Sequence, residues 1–335
     1  MIYTKHGQNG MMSAPHHLAA EAGANVLRAG GNAVEAMVAA AATIAVVYPH
    51  MNSIGGDGFW IISEPGKEPV GIDACGPAAA LATRDAYKNA GCAAIPARGP
   101  LAALSVAGTV GGWEMALEAA SSWGKAMPLR DILADAVGHA QSGVSVTMGQ
   151  QKLTREKLDE LKAVPGFAQT YLSSAGDVLE EGAVLKQAAL AATLERLGQA
   201  GLDDFYRGDV ARALTGGLES SGSFVRLGDL EAYRPLPVTA LCVSLGCGKI
   251  YNMPPPTQGV SALMILALFE RLGVTEAESF EHIHGLIEAT KQAFILRDAH
   301  VTDPAHMSVD AAAWLQPDFL DARAQDIDRG RAMAW

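Results

Sequence analysis

The stretch MPPPTQGVSALMILALFE, residues 253–270, places three consecutive prolines directly before a strongly apolar helical pattern. Each proline lacks a backbone N–H and fixes its own φ, so the triplet cannot lie inside a helix or a central strand. The apolar residues behind it predict a helix near Val260–Leu272. We therefore expect a rigid turn that leads at once into a buried helix.

The composition is that of a globular protein with a large core. The 335 residues are 49% hydrophobic and 18% charged, enough for one large domain or two ordinary ones. A formal net charge of −11 disfavours binding to nucleic acid or to an anionic membrane surface. The apolar run Ala36–Val47 is shorter than the roughly 20 residues that cross a bilayer. We expect neither nucleic acid nor a membrane as a partner.

The cysteines and the N-terminal segment indicate a reducing compartment. The four cysteines form no CxxC pair and have no metal-ligand spacing; they are Cys75, Cys92, Cys242 and Cys247. Residues 1–18 contain no apolar stretch that resembles the core of a signal peptide. A cytoplasmic protein with reduced thiols is expected, and an exported disulfide protein is the alternative.

The sequence offers no binding pattern for a metal or a cofactor. His282 and His284 are two residues apart in a predicted helix and point to opposite faces, so they cannot chelate one ion. The adjacent His16 and His17 lack chelating geometry too. GGDGF, residues 55–59, precedes a strand, whereas a dinucleotide-binding loop follows one, and no P-loop occurs. We predict no metal and no cofactor.

Helical patterns begin the chain. Residues 13–49 predict two helices that are separated at Gly30 and Gly31, and Asn32 with Glu35 resembles a capping box at the start of the second. The second helix is apolar on nearly every face, which is typical of a helix at the centre of a fold.

Two hairpins are expected among further helices. FWIIS (59–63) and VGIDA (70–74) flank the turn EPGKEP, and residues 238–253 predict a second hairpin that turns at Gly246. Other helical patterns are Thr109–Trp123, Pro128–Gln141, Met148–Lys162, Lys186–Leu197, Asp209–Leu218 and Phe280–Arg297. Helices layered on antiparallel sheet, an α+β fold, are expected.

No self-contained catalytic set is visible in the sequence. There is no GxSxG nucleophile elbow, and no histidine lies near Cys75, which follows a predicted strand and precedes a Gly-Pro turn. Cys75 is either a nucleophile or a small polar residue in a wall, and the residues alone leave both open.

Several stretches resemble the gamma-glutamyltranspeptidases. Residues 18–62 are similar to the N-terminal signature of that family, and MPPPTQGVSALMILALFE resembles its Pro-Pro-Pro-Ser/Thr turn and helix. EATKQAFILRDAHVTDP, residues 288–304, resembles the family's helix that ends before an Asp-Pro. GTVGGWEMAL, GLDDFYRGDVARAL and LGDLEAYRP also match in order, so the resemblance covers nearly the whole chain.

The resemblance implies an N-terminal nucleophile hydrolase fold, a four-layer αββα sandwich completed by a second chain. A precursor in that family cleaves itself before a threonine, whose hydroxyl attacks an amide carbonyl while its α-amino group acts as the base. Residues 1–335 would then be a single domain, the large subunit of such a precursor, with the processing site at Trp335 and no catalytic residue in this chain. The implied partner is the small subunit of the same precursor, and the resemblance allows a dimer of such heterodimers.

One departure from the family bears on the substrate. The family strand that resembles VGIDACGPAA carries an arginine that binds the α-carboxylate of the glutamyl group. Here Ala74, Cys75 and Gly76 replace the family's aromatic residue, arginine and glutamate. Neither cysteine nor glycine can make a bidentate contact with a carboxylate, so gamma-glutamyl transfer is not expected. We predict that Cys75 and Gly76, together with Asn52 and Ser53, bind the substrate.

The resemblance and this departure together favour an amidohydrolase. The expected reaction is hydrolysis of a small carboxylic acid amide such as oxamate, with the N-terminal threonine on the partner subunit as nucleophile. One alternative is a gamma-glutamyltranspeptidase, or a gamma-glutamyl or cephalosporin-type acylase. A second is a non-catalytic scaffold subunit.

Overall fold

The structure is a computed structural model that describes Thr4 and residues 6–334. Its α-helices are α1 (His17–Arg28), α2 (Ala33–Val47), α3 (Arg84–Asn89), α4 (Thr109–Ala119), α5 (Leu129–Ile132), α6 (Ala134–Ser142), α7 (Met148–Leu161), α8 (Phe167–Tyr171), α9 (Ala188–Ala200), α10 (Asp204–Arg207), α11 (Asp209–Ser220), α12 (Leu227–Ala232), α13 (Gly259–Arg271), α14 (Phe280–His300) and α15 (Pro317–Gln325). Its strands are β1 (Gly58–Ile62), β2 (Val70–Ala74), β3 (Val144–Ser145), β4 (Val184–Leu185), β5 (Leu236–Thr239), β6 (Leu241–Leu245) and β7 (Gly248–Asn252). Trp335, the predicted processing site, lies outside the described residues.

The contacts between residues divide the chain into two compact units. The first unit contains the residues up to Gly58 together with Ala74–Leu236, and the second contains Phe59–Asp73 and the residues from Pro237 onward. That residues 1–335 form a single domain therefore stays a prediction.

The start of α2 in the first unit confirms the predicted capping box. The Asn32 side chain accepts hydrogen bonds from the backbone N–H groups of Val34 and Glu35, and the Glu35 carboxylate accepts one from the Asn32 N–H. Gly30, at φ +91°, makes the left-handed turn after α1 that the sequence predicts. Most of α2 is buried on several faces, as expected for a central, alanine-rich helix.

Three small sheets are present among the described residues. One has the strand order β1-β2-β5, and its first two strands are the predicted FWIIS and VGIDA pair. A second is the antiparallel pair β6–β7, in register from Leu241 opposite Asn252 to Leu245 opposite Gly248. The third is the short antiparallel pair β3–β4. The mixture of helices and antiparallel sheet agrees with the expected α+β class.

The second unit has its core around α13. The proline turn in front of this helix is closed by Thr257, whose N–H donates to Pro254 O at 3.2 Å and whose Oγ1 lies 3.0 Å from both Met253 O and Pro254 O. Buried residues of α13 pack in one cluster with α14 and α15; in α13 they include Val260, Leu263, Met264, Ala267 and Leu268. The predicted turn and buried helix are both confirmed.

Three local predictions differ from the structure. The single helix expected over Pro128–Gln141 is divided into α5 and α6, because Leu133 has a ψ of −3° that interrupts the regular helix. The expected hairpin over residues 238–253 is shorter, since residues up to Thr239 belong to β5 and pair in the other sheet. The segment between α7 and α9, for which the sequence predicts no helix or strand, contains α8 and β4.

Candidate functional site

The end of β2 is held against the glycine-rich loop that precedes β1. The N–H of Gly76 donates to the Asp57 carboxylate at 3.2 Å. Gly76 also lies directly against the backbone of Val106, because a Cβ atom at position 76 would be 1.6 Å from the Val106 carbonyl oxygen. Only glycine can occupy this backbone position, so the glutamate that the family has there could not be placed here without moving the chain.

The start of α4 fixes the same loop from the other side. The N–H groups of Gly108 and Thr109 donate to the Gly56 carbonyl at 2.8 and 2.9 Å. Thr109 Oγ1 lies 2.9 Å from the carbonyl oxygens of both Gly56 and Asp57, so its single proton is shared between them. Gly108 packs against Ala74, since an added Cβ would lie 2.0 Å from the Ala74 oxygen. Three chain segments therefore hold the backbone around Cys75 in one arrangement.

Cys75 is half-buried within this arrangement. It stands between Ala74, which is packed against Gly108, and Gly76, which is bonded to Asp57. A thiol at this position supplies neither the positive charge nor the two parallel N–H donors with which arginine binds a carboxylate. The Asp57 carboxylate, which accepts the hydrogen bond from the Gly76 N–H, lies close to this position. The arrangement therefore does not favour an extended substrate with a carboxylate at position 75.

Asn52 and Ser53, the other two predicted binding residues, lie beyond the opposite end of the loop. Ser53 Oγ accepts a hydrogen bond from the Gly55 N–H at 2.7 Å, which forms a tight turn. Both residues line a cavity of about 570 Å³, together with Tyr171, Lys186 and Gln187 among others. Among the described residues that line this cavity, neither Cys75 nor Gly76 appears.

The structure therefore places the four predicted residues in two places. One pair lies in a cavity wall and the other follows β2, and the glycine-rich loop connects them. Sequence reasoning did not single out Asp57, Gly108 and Thr109, although both stretches that contain them had been noted. Thr109 and Gly56 are 53 residues apart, and no spacing rule in the sequence connects them.

The histidines that the sequence singled out pack against other rings. His16 and His17 stack with their centroids 4.6 Å apart. His282 contacts Phe269, whereas His284 stacks on Phe280 and its Nε2 lies 2.8 Å from the Asp328 carbonyl oxygen. Within Thr4 and residues 6–334, no group of three or more histidine, cysteine or acidic side chains is arranged to hold a metal ion.

None of the helices in the described part of the chain combines the length and the apolar character that crossing a bilayer requires.

Comparison with known proteins shows similarity over nearly the whole chain. The family profile described as gamma-glutamyltranspeptidase matches residues 19–335. The oxamate amidohydrolase proenzyme of Klebsiella pneumoniae is 48% identical over 98% of this chain and 62% of its own length. The glutathione hydrolase proenzyme of Pseudomonas aeruginosa is 31% identical over 95% of this chain and 57% of its own length. The chain thus spans about 60% of the length of the curated relatives it matches.

Solved structures give the same result for the fold. The gamma-glutamyltranspeptidase from Pseudomonas nitroreducens complexed with L-DON superposes with a TM-score of 0.87 at 29% identity, covering 98% of this chain and 97% of that one. The cephalosporin acylase from Bacillus halodurans has a TM-score of 0.84 at 29% identity, covering 93% of this chain and 58% of that one. These likenesses confirm the predicted α+β fold of the N-terminal nucleophile hydrolase type.

Proposed function

This chain belongs to the gamma-glutamyltranspeptidase family, and from that membership we propose that it is the substrate-side part of an amidohydrolase that acts on small carboxylic acid amides such as oxamate. The observation that carries the proposal is the 48% identity to the oxamate amidohydrolase proenzyme over 98% of this chain. The glutathione hydrolase and acylase proenzymes that it also resembles are each about 30% identical.

The site after β2 supports a small substrate. The Cys75 side chain cannot bind a distant carboxylate as an arginine side chain does. The contact between the Gly76 and Val106 backbones leaves no room for a side chain at position 76. Oxamate has its carboxylate directly beside the amide, so it needs no contact far from the reacting carbonyl. In this proposal Cys75 and Gly76 line the acyl pocket, and Asn52 and Ser53 contribute from the adjoining cavity.

The nucleophile in this proposal is a threonine at the new N-terminus of a second chain cut from the same precursor. The curated relatives have names that end in proenzyme, and this chain covers about 60% of their length. By contrast, this chain covers 97% of the matched chain in the Pseudomonas nitroreducens structure. That pattern supports a large subunit paired with a small one. Two such pairs would form the dimer of heterodimers.

A cytoplasmic location is part of the proposal. Within the described residues the four cysteines are thiols and form no disulfide, which fits a reducing compartment.

The test is a comparison of two substrates with the protein expressed from its complete coding sequence. The wild type should hydrolyse oxamate and turn over a gamma-glutamyl anilide poorly. Cys75→Ala should leave processing intact and raise KM for oxamate with a smaller effect on kcat, because a wall residue is altered and no nucleophile is lost. Cys92→Ala, another half-buried cysteine, is the matched control and should behave as wild type.

Three results would overturn the proposal. Efficient gamma-glutamyl transfer would favour the transpeptidase or acylase alternative, and a correctly folded protein inactive on every amide would favour the scaffold alternative. Loss of oxamate turnover by several orders of magnitude in processed Cys75→Ala would make Cys75 the nucleophile.

A further inference from the structure

A second cavity in the first unit shares Tyr171 with the cavity that Asn52 and Ser53 line, and its other lining residues have no role in the proposed function. It has a volume of about 520 Å³, within the range of pockets that hold small organic ligands. The residues after α2, Pro49–Met51, form one side of it, and α7 and α8 form most of the rest. Its lining residues include two cations, two residues that each hold a buried polar atom without a partner among the described residues, and an apolar wall.

The positive charge comes from Arg98 and Lys157, which both line the cavity. They share one acidic partner, Glu160, whose carboxylate lies 3.6 Å from the Arg98 guanidinium and 2.7 Å from the Lys157 ammonium. Two cations with one carboxylate leave a net positive charge of one at this rim. That excess stands out in a chain with a formal net charge of −11, and it would attract an anionic group.

The unpaired polar atoms belong to Gln150 and His50. Gln150 is only 3% exposed, and its side-chain Oε1 has no hydrogen-bond partner among the described residues. Its backbone is fixed at both ends, because its N–H donates to Thr147 Oγ1 and its carbonyl accepts from Thr154 Oγ1. His50 Nδ1 likewise has no partner in the described part of the chain, and burial lowers the pKa of the imidazole, which keeps it neutral near pH 7.

A buried acceptor without a donor is costly. Such an unpaired group loses the hydrogen bond that it makes with water in the unfolded chain, so a ligand N–H that reaches Gln150 Oε1 would restore one.

The apolar wall faces the same space. Leu153 and Leu161 of α7 lie beside Phe167 and Tyr171 of α8, whose ring centroids are 5.5 Å apart. These two rings form an apolar surface of the kind that a hydrophobic or aromatic group packs against. Oxamate has no apolar body, so the substrate of the proposed function gives this wall no role.

We propose that this cavity binds a small carboxylate that has an apolar body and one N–H donor, as in an N-acylated apolar amino acid. The carboxylate binds at Arg98 and Lys157, the N–H donates to Gln150 Oε1, and the apolar body packs on Phe167 and Tyr171. The inference goes beyond the proposed function, and it is tested by binding alone.

The first experiment uses wild-type protein, expressed from its complete coding sequence, and titration calorimetry with N-acetyl-phenylalanine. Three analogues each remove one feature: the N-methylated amide lacks the donor, the methyl ester lacks the charge, and N-acetyl-alanine lacks the ring. We expect saturable binding of the parent compound and an affinity about tenfold or more lower for each analogue. Absence of saturable binding at millimolar concentration, or equal affinity for all four compounds, would overturn the proposal.

The second experiment assigns the contacts with matched variants in α7 and at Lys162, the residue directly after it. Gln150→Met removes the unpaired acceptor at similar volume, and Gln151→Met is its control on the adjacent residue. Lys157→Gln removes a rim charge, and Lys162→Gln is its control, since Lys162 has an equivalent ion pair with Asp159 but does not line the cavity. We expect weaker binding of N-acetyl-phenylalanine only in the two cavity variants. Equal affinity in a cavity variant and its control refutes the proposed contact, and circular dichroism establishes that each variant is folded.

Discussion

Gly76 and Gly216 show how differently two glycines are constrained in this protein. A Cβ atom at Gly76 would overlap the Val106 carbonyl oxygen, whereas one at Gly216, on an exposed face of α11, would meet nothing within 4 Å. We expect Gly76→Ala to lower the free energy of unfolding by about 3 kcal/mol, because backbone must move to relieve the overlap. Gly216→Ala should instead raise it by up to about 1 kcal/mol, because alanine favours helix over glycine. Urea denaturation measures both, and equal effects of the two changes would contradict the packing described at Gly76.

At the same scale, Glu288 and Lys291 form a buried ion pair on α14. Their side chains are 2% and 16% exposed, and the ammonium lies 2.7 Å from the carboxylate. Both also bind one backbone residue, because Lys291 donates to the Met333 carbonyl at 2.8 Å and the Met333 N–H donates to Glu288 at 3.2 Å. Removing either charge would leave its partner buried and uncompensated.

Lys291→Met is therefore expected to lower the free energy of unfolding by about 3 kcal/mol, because it leaves the Glu288 carboxylate buried without a counter-charge. The control is Lys162→Met, which breaks an exposed pair and should change stability by less than about 0.5 kcal/mol. Thermal and denaturant unfolding of the two variants provide the comparison. Similar small effects in both would mean that the pair on α14 is effectively solvated.

The same pair predicts a dependence of stability on pH. Burial by itself would raise the pKa of the Glu288 carboxyl, because it opposes ionisation. The hydrogen bonds from Lys291 and from the Met333 N–H, together with the positive charge of Lys291, favour the ionised form more strongly. The pKa of Glu288 is therefore lowered below its usual value of 4.5. A lowered folded-state pKa adds stability that is fully present above about 4.5 and is lost as the pH falls through the folded-state pKa. The stability difference between wild type and Glu288→Gln should therefore be largest near neutral pH and shrink in acid. Denaturant midpoints measured from pH 7 downward would reveal it, and a constant difference would contradict the assignment.

At the scale of elements, Glu35 connects the start of α2 with a distant segment. One carboxylate oxygen accepts from the Asn32 N–H at 2.8 Å, and the other accepts from the Met127 N–H at 2.7 Å. The sequence predicted the first contact from the three-residue spacing, but the second joins residues 92 apart. Glu35, the second member of the capping box, therefore also holds the loop before α5.

Glu35→Ala should consequently destabilise the protein more than the loss of an ordinary helix cap does. We expect it to lower the free energy of unfolding by about 2–4 kcal/mol, because two hydrogen bonds to a buried charge disappear. Asn32→Ala, which removes the cap alone, should lower the free energy of unfolding by about 1 kcal/mol. Chemical denaturation ranks the two variants. If Asn32→Ala proved the more harmful, the bond to Met127 would contribute little.

At the scale of the whole molecule, the second unit exposes apolar side chains on one face of α14. Phe280, Ile283 and Ile287 are spaced three and four residues apart and are each about half exposed or more. Contiguous apolar surface of this kind indicates contact with another chain. About 40% of the length of these curated relatives lies outside the part that this chain matches, which leaves polypeptide to cover this face.

Replacing Ile283 and Ile287 together by serine should therefore weaken the proposed pairing of the two subunits and leave the fold of this chain intact, because both side chains are already exposed. The amount of small subunit recovered with a tagged large subunit measures the effect. Met148→Ser with Val184→Ser, which alters two exposed apolar residues of the first unit, is the control. Undiminished recovery in the α14 variant would show that the subunits meet elsewhere.

The sequence by itself determined most of the elements and the fold class. Three features depend only on residues within a few positions of one another: the capping box of α2, the left-handed turn at Gly30 and the proline turn before α13. Short sequence patterns therefore predicted all three. Periodicity likewise placed the long helices, whereas the division of Pro128–Gln141 into two helices depended on one residue's ψ angle, which spacing does not encode.

Only the tertiary structure decided the surroundings of the candidate site. The contacts around Gly76 and the glycine-rich loop join residues that are 19 to 53 positions apart: Gly76 with Asp57 and Val106, and Gly56 with Thr109. Such contacts arise when separate segments pack, and no local preference predicts them. The unpaired Oε1 of Gln150, in the same cavity as Arg98 and Lys157, and the hydrogen bond from Met127 to Glu35 also depend on how distant segments pack. A sequence fixes which side chains favour helix, turn or burial, but which polar atoms meet, and which stay unpaired, follows from how those elements pack.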